Sequence, residues 1–172
     1  LRLSILTGQR RGEIIKLRWD EINLNKRQII KEGSKTKNKK AHITHLSEPA
    51  LQTLLSVKKT GQNLIFTTTG TTPVSGISKM KKRLDVILGD DFKPWRLSDF
   101  RTAMATALAE TGVAETIVDR ILNHSATGSA PSAVARVYNQ AENLTQRAAA
   151  LETWGQMVTA ELPDFNENKE HS

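Results

Sequence analysis

The chain has a single tyrosine, Tyr138, and the histidine before it, His124, lies one loop and one short predicted helix upstream. Two arginines lie much earlier, Arg10 in TGQRRGE and Arg101 in RLSDFRTA. Arg101 falls in the first turn of a predicted helix, where helix start and guanidinium both favour an anion. A lone tyrosine on an apolar helix face is usually a core residue, and a histidine after a helix is usually a cap. Residue types alone therefore leave open whether Tyr138 and His124 take part in chemistry or are a core residue and a helix cap.

The segment TGQRRGE breaks two predicted helices and places Arg10 and Arg11 beside an acidic residue, Glu13. A guanidinium oriented by a carboxylate is well placed for a bidentate phosphate contact. A surface ion pair beside a helix start is equally common. In the second arginine segment, Ser98 is predicted to cap the helix that carries Arg101.

A lysine-rich loop, KEGSKTKNKKA, separates two predicted strands. So many ammonium groups repel one another unless an anion lies near. Such a run is most often a solvated turn, so it indicates an anion only in combination with other signals. Its lysines are Lys31, Lys35, Lys37, Lys39 and Lys40.

Composition limits the class of protein. The 172 residues suit one domain with a core, and a net charge of +7 favours a polyanion such as nucleic acid, with simple solubility as the alternative. The absence of cysteine excludes a disulfide scaffold, cysteine-ligated zinc and thiol catalysis. No apolar run approaches the roughly 18 residues that span a bilayer. Because the chain begins inside an apolar helical pattern, we expect a domain excised from a longer protein.

The elements that must position these residues are mostly helices, with one strand-rich region near the start. Residues 28–30 and 42–46 predict a hairpin, and residues 64–66 predict a third, edge strand. Helices are predicted for residues 1–6, ended by Gly8, for 13–19, after Ser47, along the basic run KMKKR with Ser75 as cap, for about 99–110 and 114–122, from near Ser132 through Tyr138, and through 144–158.

The separate segments together resemble a known family. TGQRRGEIIKLRW followed by D-E-I, then TKNKKAHITHL, LSDFRTAMATALAETGV, ILNHS and VYNQAENLTQRAAALETW are similar to tyrosine recombinases of the phage-integrase type. The resemblance runs from Leu1 to about Trp154 and is nearest to integrases of prophages and genomic islands. It implies a mainly α (α+β) catalytic domain, with a small three-stranded antiparallel sheet, over residues 1–160. An N-terminal core-binding domain would be absent, and residues 161–172 would form a polar, disordered tail.

The resemblance also implies site residues and a reaction. The reaction is site-specific cleavage and rejoining of DNA through a 3′-phosphotyrosyl bond, which integrates or excises a mobile element without metal, ATP or other cofactor. The catalytic positions fall on Arg10, Lys37, Arg101, His124 and the nucleophile Tyr138, with Glu13 supporting the fold around the first arginine.

Ser98 departs from the family pattern, because a histidine is usual at this position. A serine can donate one hydrogen bond but cannot act as an imidazole base. His42 and His45, where the family usually has arginine and proline, are interpreted as non-catalytic variation. Two alternatives remain: a DNA-binding regulator that keeps the fold without strand exchange, which Ser98 favours, and a type IB topoisomerase, which the spacing around ILNHS and VYNQAE disfavours.

The implied partner is double-stranded DNA at attachment sites. By analogy with the family we expect a homo-oligomer, a tetramer on DNA, with accessory DNA-bending proteins and no membrane, in the cytoplasm of a bacterial cell. The remaining basic residues would contact DNA phosphates with little sequence information. These are Lys35, Lys39, Lys40, Arg11, Lys79, Lys81, Lys82 and Arg83.

Overall fold

The computed structural model of the chain describes residues 1–35, 41–60, 63–124, 143–160 and 162. Within these ranges the chain is mostly helical with a small antiparallel sheet, as predicted. The strands are β1 (Ile22–Asn23), β2 (Gln28–Lys31) and β3 (His42–His45), and short 3₁₀ turns occupy Trp19–Glu21 and Gly33–Lys35. The helices are α1 (Arg2–Thr7), α2 (Arg11–Ile14), α3 (Glu48–Leu55), α4 (Ile77–Leu88), α5 (Asp99–Glu110), α6 (Glu115–Ile121) and α7 (Leu144–Thr159).

The sheet has the order β1-β2-β3, with both neighbouring pairs antiparallel. The predicted hairpin is confirmed, but the prediction of a third strand at residues 64–66 is wrong. Leu64 forms only an isolated bridge with Arg18, and Ile65 donates its backbone N–H to the carbonyl of Leu17 at 3.0 Å. Residues 64–65 are therefore hydrogen-bonded to residues 17–18, which follow α2. A tight turn through Arg27, at φ 51°, instead brings residues 22–23 onto β2.

Most helices begin and end where the local residue types predict, with two exceptions. Gly8 ends α1 at φ 62°, and Pro49 lies in the first turn of α3. The predicted cap Ser75 is wrong, because α4 begins after Gly76 at φ 79°. The predicted helix over residues 13–19 is also shorter: α2 ends at Ile14 and the chain continues as a turn.

Two groups of buried side chains form the core. The first joins α1, α3 and the sheet around Leu6, Ile29 and Leu54. The second joins α5, α6 and α7 around Leu108 and other apolar side chains.

Helix α7 packs against its own domain. Leu151 is 1% exposed in the second cluster, Val158 contacts both clusters, and the indole Nε1 of Trp154 donates to the carbonyl of Ile5 at 2.8 Å. The apolar face of this helix is therefore buried in the core of its own domain. The predicted helix through Tyr138 lies outside the described residues, and so does all of the predicted tail except Leu162.

Candidate active site

Two arginines distant in sequence meet at the C-terminal end of α6. One Arg101 nitrogen donates to the carbonyl of Leu122 at 2.7 Å and another donates to the carbonyl of Gly8. Arg10 donates to the next carbonyl, that of Asn123, at 3.4 and 3.5 Å. Consecutive carbonyls therefore hold the two guanidinium groups next to each other.

Helix geometry explains why these carbonyls accept side-chain bonds. The last carbonyls of an α-helix have no partner within the helix and need donors from elsewhere. At the end of α6, Asn123 adopts φ 51°, a left-handed conformation that Asn tolerates better than most residues. The turn exposes these carbonyls to cationic donors, which the helix dipole also favours.

The buried side-chain amide of Gln9 also forms a hydrogen bond to the end of α6. Gln9 is 4% exposed, and its Nε2 donates to the carbonyls of Thr7 at 3.0 Å and Ile121 at 2.9 Å. Its backbone immediately precedes Arg10, so the segment between α1 and α2 is tied to the end of α6. Sequence analysis missed this residue, since a single glutamine in a helix break carries no distinctive signal.

His124 follows that turn directly. Its backbone N–H donates to the carbonyl of Asp119 at 3.0 Å, and its Nδ1 lies 2.9 Å from a carboxylate oxygen of the same residue. With its side chain 46% exposed, the imidazole is oriented by a carboxylate and still open to a ligand. The turn that accepts hydrogen bonds from Arg10 and Arg101 therefore leads directly into His124.

Glu13 is a buried acidic residue next to Arg10. The residue is 9% exposed, and one carboxylate oxygen lies 3.7 Å from an Arg10 nitrogen. Neither oxygen has a hydrogen-bond partner within the described ranges. Burial and the charge of Arg10 lower the pKa of Arg101 to about 10, and Glu13 opposes this shift. Arg101 therefore remains charged at neutral pH.

Ser98 is the N-cap residue of α5, but its side chain makes no capping hydrogen bond to the described backbone. Its hydroxyl instead donates to a carboxylate oxygen of Asp99 at 3.4 Å. Ser98 therefore occupies the predicted N-cap position, but its side chain does not form the expected capping hydrogen bond. Ser98 does line a cavity of about 580 Å³ together with Arg10 and Arg101, so it lies at the edge of the site.

Two further cationic or titratable residues near the site were not predicted as functional. His42, at the start of β3, is 7% exposed, and its Nε2 has no hydrogen-bond partner in the part of the chain that the structure describes. Arg147 on α7 is 8% exposed and donates to the carbonyl of Ile43. Burial and the charge of Arg120 lower the pKa of Arg147 to about 10. Only the fold brings His42 within electrostatic reach of Arg147 and of the arginine pair.

Lys37, Lys39, Lys40 and Tyr138 lie outside the described residues. Lys35 ends the second 3₁₀ turn.

The basic residues of α4 differ in solvent exposure and in their protein contacts. Its exposed members are Lys79, Lys82 and Arg83, and Arg11 on α2 is also exposed. Lys81 is 2.8 Å from a carboxylate oxygen of Asp85 and 4.6 Å from the ring centroid of Trp95. Lys81 therefore already has protein partners, unlike a lysine held only by solvent.

Comparison with known proteins identifies the family of the chain. A family model described as "Phage integrase family" matches residues 1–143, which is most of the chain and includes the whole arginine site. The chain belongs to the phage integrase family. No curated protein and no solved structure matches it.

Membership of the integrase family establishes the general class of activity. The family consists of DNA recombinases that break and rejoin DNA, and DNA is the partner of such a domain. In the described ranges, no group of three or more histidine, aspartate or glutamate side chains is arranged to hold a metal ion. Among the helices described, none has both the length and the apolar character needed to cross a bilayer.

Proposed function

We propose that the chain is the catalytic domain of a site-specific recombinase that integrates or excises a mobile element. In this proposal the Tyr138 oxygen attacks a DNA phosphorus, a 3′-phosphotyrosyl bond forms, and the 5′-hydroxyl leaves. Attack by another 5′-hydroxyl then reverses the step, so the bond energy is conserved without ATP. The working form would be a tetramer on two duplexes in the bacterial cytoplasm, with accessory DNA-bending proteins.

The observation that carries this proposal is the convergence of Arg10 and Arg101 on one turn that continues into His124. A guanidinium has five N–H donors, and the backbone carbonyls use only some of them. The others remain for the non-bridging oxygens of a phosphate. Preorganised donors of this kind contribute roughly 3 to 4 kcal/mol each to stabilising a transition state that gains negative charge.

The remaining steps are proton transfers. The leaving alkoxide needs a proton, and Lys37 would supply it as general acid. The phenol of Tyr138 must lose its proton, and the nearby cations would favour the phenolate. Ser98 cannot act as an imidazole base, so the proposal relies on the cationic surroundings for this step.

A covalent trapping experiment tests the nucleophile. The chain would be incubated with a pool of nicked duplexes of varied sequence, and a protein–DNA adduct sought on a denaturing gel. Since Tyr138 is the only tyrosine, Tyr138→Phe should abolish the adduct and preserve non-covalent binding. An adduct that persists in Tyr138→Phe would exclude the assigned nucleophile.

A second candidate function is a DNA-binding regulator that keeps the fold without strand exchange. Ser98 favours this function, because a serine cannot act as an imidazole base and its hydroxyl donates a hydrogen bond to Asp99. Binding by the wild type without any adduct, together with an adduct in Ser98→His, would support the regulator. Equal adduct formation by the wild type and Ser98→His would support the recombinase.

A further inference from the structure

Gln9 is a buried polar residue that lines the same cavity as Arg10 and Arg101. Its side-chain nitrogen has two N–H groups, which donate to the carbonyls of Thr7 at 3.0 Å and Ile121 at 2.9 Å. Because both partners are acceptors, the nitrogen of the amide, and not its oxygen, faces them. Both N–H groups are therefore used within the protein, and Gln9 has no donor left for a phosphate.

Side chains join residues 8–10, between α1 and α2, to residues 121–123 at the end of α6. Arg101 donates to one carbonyl in each segment, that of Gly8 and that of Leu122. Gln9 belongs to the first segment and donates to Ile121 in the second, and Arg10 donates to the carbonyl of Asn123. Gln9 and Arg101 therefore span the same gap between these two segments, and Gln9 does so without charge.

The width of this gap decides whether Arg101 can reach both carbonyls. Its hydrogen bond to Leu122 is 2.7 Å long, and N–H···O hydrogen bonds are normally about 2.7 to 3.2 Å long. Arg101 can therefore hold both carbonyls only while the segments keep their present separation. Repulsion between the neighbouring guanidinium groups of Arg10 and Arg101 acts to widen the gap. The neutral amide of Gln9 holds the gap closed without adding to that repulsion.

We propose that Gln9 is a positioning residue of the phosphate site. It fixes residues 8–10 against the end of α6, and this attachment aims the guanidinium groups of Arg10 and Arg101 at one phosphate. The inference rests on the proposed phosphate site and adds to it a residue that does not touch DNA. A role in folding alone would change stability without changing the arginine pair specifically, and the two roles are distinguished as follows.

The first test measures the rate of adduct formation on the pool of nicked duplexes. Gln9→Met keeps the length of the side chain but removes both N–H donors, so the rate should fall by up to about 100-fold through misplacement of the arginines. The DNA concentration that half-saturates the reaction should change little, because the other phosphate contacts remain. Gln9→Asn keeps a donor on a side chain one methylene shorter, so its rate should lie between the two.

Gln52→Met is the matched control. The Gln52 amide donates at 3.3 Å to the carboxylate of Glu48 on the same helix, α3, so this variant should react like the wild type. Rates are compared at a temperature where circular dichroism shows every variant folded. A wild-type rate in folded Gln9→Met would overturn the proposal.

A double-mutant cycle separates positioning from a general loss of stability. Gln9→Met is combined with Arg101→Lys, which keeps the charge but cannot donate to Gly8 and Leu122 from two separate nitrogens. If Gln9 acts through Arg101, the loss caused by Gln9→Met should shrink to less than about 10-fold in this background. The same factor in both backgrounds would overturn the proposal. Gln9→Asn replaces Gln9→Met in the cycle if the latter does not fold.

The second test does not require cleavage. The guanidinium N–H signals of Arg10 and Arg101 are followed by NMR in the free wild type and in Gln9→Met, with Arg10→Lys and Arg101→Lys to assign them. Loss of a hydrogen bond from a charged group should speed exchange of the Arg101 protons with water by about 10-fold or more. Unchanged exchange at both arginines would overturn the proposal. If the wild type forms no adduct but Gln9→Met still speeds this exchange, the recombinase assignment fails and the positioning role stands.

Discussion

Two like-charged guanidinium groups held next to each other repel, and the protein accepts this cost at Arg10 and Arg101. Some of their N–H groups donate to backbone carbonyls, and a carboxylate oxygen of Glu13 lies 3.7 Å from an Arg10 nitrogen. Charges arranged in this way gain most from an anion supplied by a ligand. The electrostatics of single residues therefore favour phosphate binding independently of the family assignment.

The buried imidazole of His42 predicts a pH dependence of stability. Its pKa is about 4 in the folded protein against 6.5 for an unperturbed histidine. Between these values the unfolded chain binds a proton that the folded chain does not, so the free energy of unfolding falls as pH is lowered. A difference of about 2.5 in pKa corresponds to about 3 kcal/mol.

The measurement is urea denaturation of the wild type and His42→Leu at several values between pH 7 and pH 4. Other titrating groups are shared by the two proteins and largely cancel in the comparison. The wild type should lose stability relative to the variant as pH falls through this window. Parallel curves would show that the ring is not held neutral.

At the scale of elements, the site depends on the close approach of α1, α5 and α6. Gly8 ends α1 at φ 62°, accepts a hydrogen bond from Arg101, and lies against Met104 of α5. A Cβ at this position would lie 2.3 Å from the Met104 methyl carbon and 3.1 Å from Leu122. Position 8 therefore requires glycine, because its φ is positive and because a Cβ would clash with Met104.

Gly8→Ala should therefore destabilise the domain, by at least the roughly 1 to 2 kcal/mol that a left-handed alanine costs. It should also slow adduct formation, because the carbonyl that orients Arg101 must move. Gly12→Ala is the matched control, since a Cβ there meets no atom within 4 Å and α2 favours alanine over glycine. Denaturation midpoints and adduct rates of the two variants give the answer. Equal behaviour would contradict the proposed packing constraint.

At the scale of the molecule, α7 connects the two core clusters. It contributes Leu151 and Trp154 to the second cluster, and Val158 contacts both. Arg147 on the same helix holds β3 through the carbonyl of Ile43. The helix that follows the Tyr138 segment is thus coupled to the strand that follows the Lys37 loop.

The net charge of +7 predicts salt-dependent DNA binding by the whole domain. Lys82 is exposed, whereas Lys81 is already paired with Asp85. Lys82→Gln should reduce the slope of log affinity against log salt by about 1 if it contacts a phosphate. Lys81→Gln should change the slope less, because its charge is partly satisfied within the protein. Affinity measured at several salt concentrations distinguishes these outcomes, and a salt-insensitive complex would contradict both.

Much of the fold could be predicted from local patterns. The hairpin, α3, α5, α6 and α7 are confirmed because their periodicity and breakers act over a few residues. The third strand was misplaced because residues 64–66 have strand-like composition but find their partners at residues 17–18. Strand pairing is a long-range choice that composition does not encode.

The sequence by itself determined the family, the charge and the segments that carry Arg10, Arg101 and His124, since these depend on residue type and order. Only the tertiary structure decided that carbonyls at the end of α6 accept hydrogen bonds from the two arginines and that His42, unlike His45, is buried. The reason is physical: a residue's type is local, whereas its hydrogen-bond partners and its electrostatic environment come from segments about 100 positions away.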